Sequence, residues 1–462
     1  MNDEAMTGSV DAPVLVIGTG LSGCAIARHL HHLRQPFELA DTREAPPALA
    51  ELQAAYPEIS VHCGPLEQLE LERFSEIVLS PGIDPRQPAL AAVRGRIIGE
   101  MALLRRALDA MTRPPLLVAI TGSNAKSTVT TLVGEMGRAA GWSIALGGNL
   151  GMPALDLLSE TPDAEALVLE LSSFQLETTP RLAADIACHL NLSEDHLDRH
   201  DGLEGYARAK QRIFEGAKQA VYNADDPATR PNSATGSATS FTLGEPLANQ
   251  WGLQQQSGQL MLCLGREPIM AAADIGMPGR HNLANALAAL AIGERAGWSM
   301  DAMRKVLQRF TGLPHRAEQV AVRDGVQWIN DSKGTNVGAA LAAIEGIGAT
   351  LPGRLILLAG GVGKGADFTP LGPAMNRHGR AAIVFGRDAE LLAEALTGHV
   401  PVARVETLEA AMTQARQLAE AGDAVLLSPA CASLDQFASY IARGEAFRAW
   451  LGRHPAPSAG DA

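Results

Sequence analysis

The sequence predicts a three-domain α/β protein with mainly parallel sheets, and three observations carry that expectation. The chain has 462 residues, where one domain usually takes roughly 100–200. It restarts the same pattern of apolar strand, glycine-containing turn and helix in "APVLVIGTGLSGCAIARHLHHL", "PPLLVAITGSNAKST" and "GRLILLAGGVGKGADF". Hydrophobic residues at 46%, charged residues at 19% and 46 glycines match a globular α/β protein with many tight turns.

The first restart is a Rossmann-type opening. Its strand turns on Gly18, Gly20 and Gly23 into a helix with apolar residues at helical spacing. "FELADTRE" then ends a second strand at Asp41, where a nicotinamide enzyme places its ribose-binding acid. That pairing leaves an NAD-dependent oxidoreductase open at this stage. "EIVLSPGI" supplies a further strand end, with Ser80, Pro81 and Gly82 in the turn where open α/β sheets collect ligands. The first domain is expected to span 1–106.

The second restart resembles a phosphate-binding loop without matching the usual spacing. In G-x-x-x-x-G-K-[ST] the glycines would fall at Ile120 and Ala125. Gly122, Lys126, Ser127 and Thr128 nevertheless keep the parts that matter: backbone N–H groups at a helix start, a lysine for phosphate charge and a hydroxyl for magnesium. Alanine at 125 is nearly harmless at negative φ; at positive φ it costs about 1 kcal/mol or more. "LVLELSSFQLET" puts Glu170 at a strand end, and "HLNLSEDHLDRH" puts Asp195 and His196 just after another. Singly, such residues are surface groups or caps. Together, a lysine–hydroxyl pair, a carboxylate and a histidine at three strand ends suggest phosphoryl chemistry with magnesium, which takes oxygen ligands and bound phosphates. This domain is expected over 107–312, with a hinge at "FTGLPHRAEQV". The third, over 313–462, continues through the strands of "AAIVFGRD" and "DAVLLSPACASLDQF" with the helix of "LEAAMTQARQLAEAG" between them, and frays from about 454.

Other classes are excluded or disfavoured. A net charge of −13 without a Lys/Arg run argues against nucleic-acid binding. The five cysteines lack CxxC spacing, so reduced thiols, a cytoplasmic location and no structural zinc are expected. No apolar run reaches membrane-spanning length, and "MNDEAMTGSVDA" lacks signal-peptide order.

In order along nearly the whole chain, "GSNAKST", "LELSSFQLET", "LNLSEDHLDR", "GRHNLANALAA", "TGLPHR", "NDSKGTN", "GGVGKGADF" and "LLSPACASLDQF" resemble the Mur ligases. The resemblance implies a UDP-binding first domain in place of an NAD-binding one, a central ATPase domain and a C-terminal amino-acid-binding domain, in a monomer. It implies ATP-driven amide formation in peptidoglycan precursor synthesis, with UDP-N-acetylmuramoyl-L-alanine and D-glutamate joined through an acyl phosphate. Near the uridine nucleotide it places Leu21, Ser22, Asp41, Thr42, Arg43, Ser80 and Gly82, with Asn149 on the muramoyl portion. Around ATP it places Gly122, Ser123, Asn124, Ala125, Lys126, Ser127, Thr128, Asn282, Asn285, Arg316 and Asp331. Two magnesium ions are implied, one at Ser127 and Glu170 and one at His196, bridged by a carbamylated Lys210. Spacing alone makes Lys210 a solvated helical residue and Asn282 a helix N-cap. Lys126, His196, Lys210 and Arg316 carry the catalytic roles, while Lys333, Thr335, Lys364, Ser433, Leu434 and Tyr440 fall at the D-glutamate positions.

Three residues depart from the family pattern: Ala125 for glycine, Val362 for a common aspartate, and Tyr440 for a frequent phenylalanine. They bear on affinity, not on substrate class. The rival readings are a sibling ligase or folylpolyglutamate synthetase-like enzyme using another amino acid, a non-catalytic nucleotide-binding scaffold, and the oxidoreductase. No DNPR-type string of a diaminopimelate or lysine adder is present.

Overall fold

The computed structural model describes residues 12–454 apart from 233–235, 278 and 350. Most of the tail expected to fray lies outside the described residues.

Three sheets follow the three restarts. The first is five-stranded and parallel, in the order β3-β2-β1-β4-β5, from β1 (Val14–Ile17), β2 (Phe37–Asp41), β3 (Val61–Cys63), β4 (Glu76–Leu79) and β5 (Ile97–Gly99). Helices α1 (Leu21–His32), α2 (Leu49–Ala55) and α3 (Glu100–Ala110) accompany it. The tight first turn explains its glycines: Gly18 has φ +92°, and a Cβ on Gly23 would lie 1.8 Å from the Gly18 carbonyl oxygen. Only glycine lets α1 approach β1 that closely. Residue 106 falls inside α3, and the irregular segment 111–115 follows the helix.

The central sheet has nine strands in the order β14-β13-β12-β11-β10-β9-β6-β8-β7. Its parallel part comprises β6 (Leu116–Thr121), β7 (Ile144–Gly148), β8 (Ala166–Glu170), β9 (Ile186–His189), β10 (Gln219–Asn223) and β11 (Ser237–Phe241). β6 and β8 are buried along almost their whole length, which is why they read as continuous apolar runs. An antiparallel ribbon, absent from the sequence reading, completes one edge with β12 (Trp251–Gln256), β13 (Gln259–Leu264) and β14 (Glu267–Ala271). The helices here are α4 (Lys126–Ala139), α5 (Ala154–Glu160), α6 (Ser173–Glu177), α7 (Leu197–His200), α8 (Leu203–Gln211), α9 (Arg280–Arg295) and α10 (Met300–Arg309).

The third sheet, β15-β16-β20-β17-β18-β19, is parallel except for its first pair. It consists of β15 (Glu318–Arg323), β16 (Val326–Asn330), β17 (Leu355–Gly360), β18 (Gly379–Phe385), β19 (Val402–Arg404) and β20 (Ala424–Leu427). Around it lie α11 (Val337–Gly348), α12 (Leu371–His378), α13 (Ala389–Leu396), α14 (Leu408–Leu418) and α15 (Tyr440–Arg453).

The packing between the units is unequal. One apolar cluster runs from Val14 and Val78 of the first sheet through Met101, Leu104 and Leu108 of α3 to Ala154, Leu155 and Leu167 of the central unit. The third sheet carries two clusters of its own, and the bonds it makes across to the central unit described below are polar. A shared apolar core resists sliding, whereas polar bonds exchange with water at little net cost. Among the described residues no helix is long and apolar enough to cross a membrane.

Candidate active site

The strand ends converge as the parallel topology requires, because successive βα turns open on the carboxyl edge of the sheet. After β6, the loop 122–125 leads into α4, and Lys126 is the first helical residue. The Lys126 ammonium donates to the carbonyls of Gly122 (2.8 Å) and Ser123 (2.9 Å). Ala125 adopts φ +64°, ψ −3°. The left-handed conformation that glycine would satisfy freely is therefore kept by alanine, at about 1–2 kcal/mol of local strain. Ala125→Gly relieves that strain but adds freedom to the unfolded chain worth about 0.4–1 kcal/mol, leaving an expected net gain on the order of 0.5 kcal/mol. Urea unfolding of the two proteins checks it; a clear loss of stability in the glycine variant would contradict the strain.

Glu170, at the end of β8, is 3% exposed. One carboxylate oxygen accepts from the Asn149 amide (2.7 Å), and the other, also buried, has no hydrogen-bond partner. Burial pushes its pKa up, but Lys126, the Ser127 hydroxyl and Asn149 together outweigh it and hold the group below its ordinary value. His196 does not follow its strand directly. β9 ends at His189, and a loop returns the chain so that His196, at φ +52°, starts α7. Its ring packs edge-on against Phe174 (4.8 Å between centroids), and burial lowers its pKa. Asp195 carries the ion pair with Lys364 from the turn after β17.

Lys210 corrects the expectation of a solvated side chain: it is 1% exposed. Its amine donates to the Gly122 carbonyl (2.8 Å), sits near the Thr121 hydroxyl (3.4 Å) and lies 4.6 Å above the Tyr206 ring. Burial, reinforced by Lys126, drives its pKa well below the ordinary lysine value. Lys210 lies on the buried face of α8 with Tyr206, Ala209 and Gln211, turned toward the loop after β6, while Glu204 and Arg208 of the same helix face solvent.

The third unit reaches across with side chains from two segments. Arg316 donates to the Ser127 hydroxyl (2.7 Å). Asn336, capping α11, exchanges amide bonds with Asn124 (3.1 and 3.3 Å) and donates to Asp195 (3.2 Å). Lys333 lies 4.0 Å above the Tyr440 ring, and burial, with Arg316 and Lys126 nearby, lowers its pKa to about 8. Asp331, at the end of β16, accepts from the Ser428 hydroxyl (2.6 Å) and the Ala317 amide (3.1 Å), yet burial raises its pKa to about 6.

That raised value has a stability consequence. A carboxyl whose folded pKa exceeds its unfolded value of 3.8 favours folding only while protonated, so its penalty is absent below about pH 4 and full above about pH 6. Two units correspond to at most about 3 kcal/mol. Asp331→Asn is accordingly expected to be more stable than the wild type at pH 7.5 by about 1–3 kcal/mol, with the gain vanishing toward pH 4. Denaturant midpoints at both pH values test this; an equal gain at pH 4 would refute the ionisation as its cause.

Three cavities connect these residues. A 220 Å³ cavity is lined by Ser123 to Ser127, Asn149, Glu170, Asp195, His196, Lys210, Arg316, Lys333 and Thr335 among others. Lys126, Arg316 and Lys333 outnumber its two carboxylates, Glu170 and Asp195, so it favours anions. On one side, sharing Asn124, Ala125, Arg316 and Lys333, lies a 360 Å³ cavity lined by Thr128, Phe241, Leu243, Met277, His281, Asn282, Asn285 and Asp331. On the other, sharing Pro81 and Asn149, a 530 Å³ cleft contains Leu21, Ser22, Asp41, Thr42, Arg43, Ser80 and Gly82. Asp41 is taken up within that cleft: it accepts from the Thr19 hydroxyl (2.6 Å) and amide (2.9 Å) and from the Arg43 guanidinium (2.7 and 2.8 Å), which holds it far below the usual carboxylate range.

Asn282 lies within the first turn of α9, whose N-cap is Gly279, so the N-cap reading of Asn282 is corrected; Asn285 donates to it (3.0 Å). Of the remaining positions, Ser433 is buried, its carbonyl accepting from Gln436 (3.1 Å) and Phe437 (2.8 Å), and Leu434 is 71% exposed. Sequence reasoning missed Phe241, Met277 and His281, which line the apolar cavity, and Asn336; only the N-cap spacing before α11 signalled the last.

Comparison with known proteins agrees with this geometry. Residues 12–99 match the family model "Mur ligase MurD-like, N-terminal domain", 120–293 the "Mur ligase middle domain" and 315–431 the "Mur ligase, glutamate ligase domain". The chain is 60% identical to the UDP-N-acetylmuramoylalanine–D-glutamate ligase of Chromohalobacter salexigens, over 95% of this chain and 97% of that one. It is 52% identical to the enzyme of the same name from Pseudomonas aeruginosa, over 94% and 96%. Among solved structures, the MurF ligase of Thermotoga maritima in complex with ADP superimposes with a TM-score of 0.58 at 18% identity, covering 95% of each chain. UDP-N-acetylmuramate-alanine ligase MurC of the same organism gives 0.57 at 16% identity, covering 96% and 98%. At those identities the solved structures speak to the fold alone. With three successive domain models matched and relatives above half identity across nearly the full length, the chain belongs to the Mur ligase family of ATP-dependent ligases.

Proposed function

We propose that this chain joins D-glutamate to UDP-N-acetylmuramoyl-L-alanine with the hydrolysis of ATP, in peptidoglycan precursor synthesis. The observation that carries the reading is the row of three connected cavities: a cleft at the glycine turn of the first sheet, a cationic chamber, and a half-apolar pocket behind the loop after β6. A uridine nucleotide in the first and ATP in the last would bring the alanyl carboxylate and the γ-phosphate together in the chamber between them. The names of the full-length relatives supply the substrates.

In this reading the alanyl carboxylate attacks the γ-phosphorus, ADP leaves, and the acyl phosphate formed is attacked by the D-glutamate amine with release of phosphate. Phosphorylation turns a carboxylate oxygen, otherwise a poor leaving group, into a good one. Lys126 and Arg316 offset the charge of the transferring group, and much of the acceleration is positioning. Asn149, shared by cleft and chamber, orients the muramoyl end. Asn282, Asn285 and Asp331 face the nucleoside of ATP. Lys333, Thr335, Lys364, Ser433, Leu434 and Tyr440 take D-glutamate, whose two carboxylates suit a cationic pocket; Lys364 must first exchange Asp195 for its ligand.

The donor set also fits magnesium. Among the described residues no three His, Cys, Asp or Glu side chains gather as a metal site, which suits an ion completing its shell with phosphate oxygens and water. The unpartnered, ionised oxygen of Glu170 and the Ser127 hydroxyl would hold one ion, and His196 with a carbamylated Lys210 a second. Bound there, magnesium would neutralise phosphate charge. A buried amine with a depressed pKa, as Lys210 has, is the form that reacts with carbon dioxide.

The segments 111–115 and 310–317 serve as linkers in this proposal, the second as the hinge. A monomer acting in the cytoplasm is proposed, the location in keeping with the five free cysteines. Phosphate release by purified protein, assayed with ATP, magnesium, UDP-N-acetylmuramoyl-L-alanine and each candidate amino acid, tests the assignment. Release with D-glutamate is expected; release only with L-lysine or diaminopimelate overturns it.

A further inference from the structure

Glu100 has no part in the chemistry above, yet it is 2% exposed at the junction of the first two units. It is the first residue of α3, directly after the last strand of the first sheet. One carboxylate oxygen crosses to the central unit and accepts the Leu155 amide of α5 (3.1 Å). The neighbouring Ala154 amide and the Ser22 hydroxyl, at the start of α1, also favour its ionised form, against a burial that raises its pKa to about 7. Among the described residues its second oxygen has no hydrogen-bond partner, and the nearby charge of Asp156, itself bonded in two places to Arg28 of α1 (2.6 and 2.9 Å), disfavours its ionisation further.

An unpaired buried carboxyl is unfavourable by several kcal/mol relative to an apolar residue of similar size. On a seam otherwise filled by Met101, Leu104, Ala154 and Leu155, stability alone would select the apolar residue. The three groups around Glu100 point to something else. Ser22 belongs to one wall of the 530 Å³ cleft, and Pro153, next to the amides it binds, belongs to the opposite wall.

We propose that Glu100 is a positioning residue for the uridine-nucleotide end of the substrate: its carboxylate ties the start of α3, at the end of the first sheet, to the start of α5, and so sets the separation of the two walls between which the nucleotide sits. Glu100 does not touch the ligand. It holds the start of α5, and with it the Gly148–Pro153 turn, at a fixed distance from the first sheet, while the Arg28–Asp156 pair fastens the solvent side of the same seam. The inference rests on the uridine nucleotide occupying this cleft.

Calorimetric titration of the full chain with UDP tests it. Glu100→Ala is expected to weaken UDP binding about tenfold, the effect of losing one or two buried hydrogen bonds. An ATP analogue should bind as to the wild type, since its cavity shares no wall with Glu100. Glu100→Gln keeps an acceptor oxygen and is expected to restore affinity to within about threefold. If the alanine protein does not fold, Glu100→Asp, one carbon too short to span both walls, carries the test and should lose about fivefold. In steady state the loss should fall on KM for the uridine substrate and leave kcat within about twofold. UDP binding within twofold of wild type in the alanine or aspartate protein, or an equal loss for the ATP analogue, overturns the proposal. Failure of the wild type to bind UDP overturns the assignment of the cleft, and this inference with it.

Discussion

Lys126→Ala is expected to lower kcat on the order of 1,000-fold, the upper range for removing one charged group from a phosphoryl-transfer site. The side chain starts α4 inside the cationic chamber, and in the ligand-free chain its ammonium rests on the Gly122 and Ser123 carbonyls. Those bonds hold it within the loop that would wrap the phosphates, so a short swing exchanges two carbonyl acceptors for phosphate oxygens. Alanine leaves the loop amides in place and removes only the charge. The cleft proposed for UDP does not include Lys126, so UDP affinity should remain unchanged. Phosphate release at saturating substrate measures the first quantity and calorimetry the second. A fall of less than tenfold would mean that the phosphates lie elsewhere.

Arg316→Ala should be nearly as severe, with kcat down about 100-fold or more, as expected of an arginine supplied to a transferring phosphoryl group from a second domain. Arg316 lines both the chamber and the nucleotide pocket, and its bond to Ser127 is one of the few that join the third unit to the central one. In the proposed reaction its removal takes away charge at the transferring phosphate, and with it goes one bond between the two units. Arg316→Lys keeps the charge but not the planar fork, and is expected to recover only part of the activity. The alanine protein should also scatter as a more extended particle when an ATP analogue and the uridine substrate are present, because one of the polar bonds between the units, alongside those of Asn336 and Lys364, is then lost. Full turnover in Arg316→Ala would remove Arg316 from the reaction.

Much of the architecture was legible because it is written in short-range pattern. The restarts at β1, β6 and β17 are local: an apolar run of strand length, a glycine where the backbone needs positive φ or close approach, then helical spacing. Glu170 could be placed at a strand end for the same reason. The antiparallel ribbon β12–β14 could not, since strands with mixed burial on a sheet edge carry weak alternation. Lys210 was misread because helical periodicity separates faces of a helix without saying what covers each face. His196 stood near the right strand, but the returning loop and its positive φ decide where the ring lies.

The strand-turn-helix openings of the three sheets, the three-unit organisation and the presence of a phosphate-loop relative with its lysine and hydroxyl were thus determined by sequence, because each depends on residues a few positions apart. Whether Ala125 tolerates its place, whether Lys210 meets water or the loop after β6, and whether Arg316, Asn336 and Lys364 meet Ser127, Asn124 and Asp195 were decided only by tertiary structure. The reason is physical: backbone angles in a turn, burial of an amine and the approach of groups about 170 to 210 positions apart are set by how whole sheets pack, and packing is a property of the assembled surfaces, absent from any single stretch of chain.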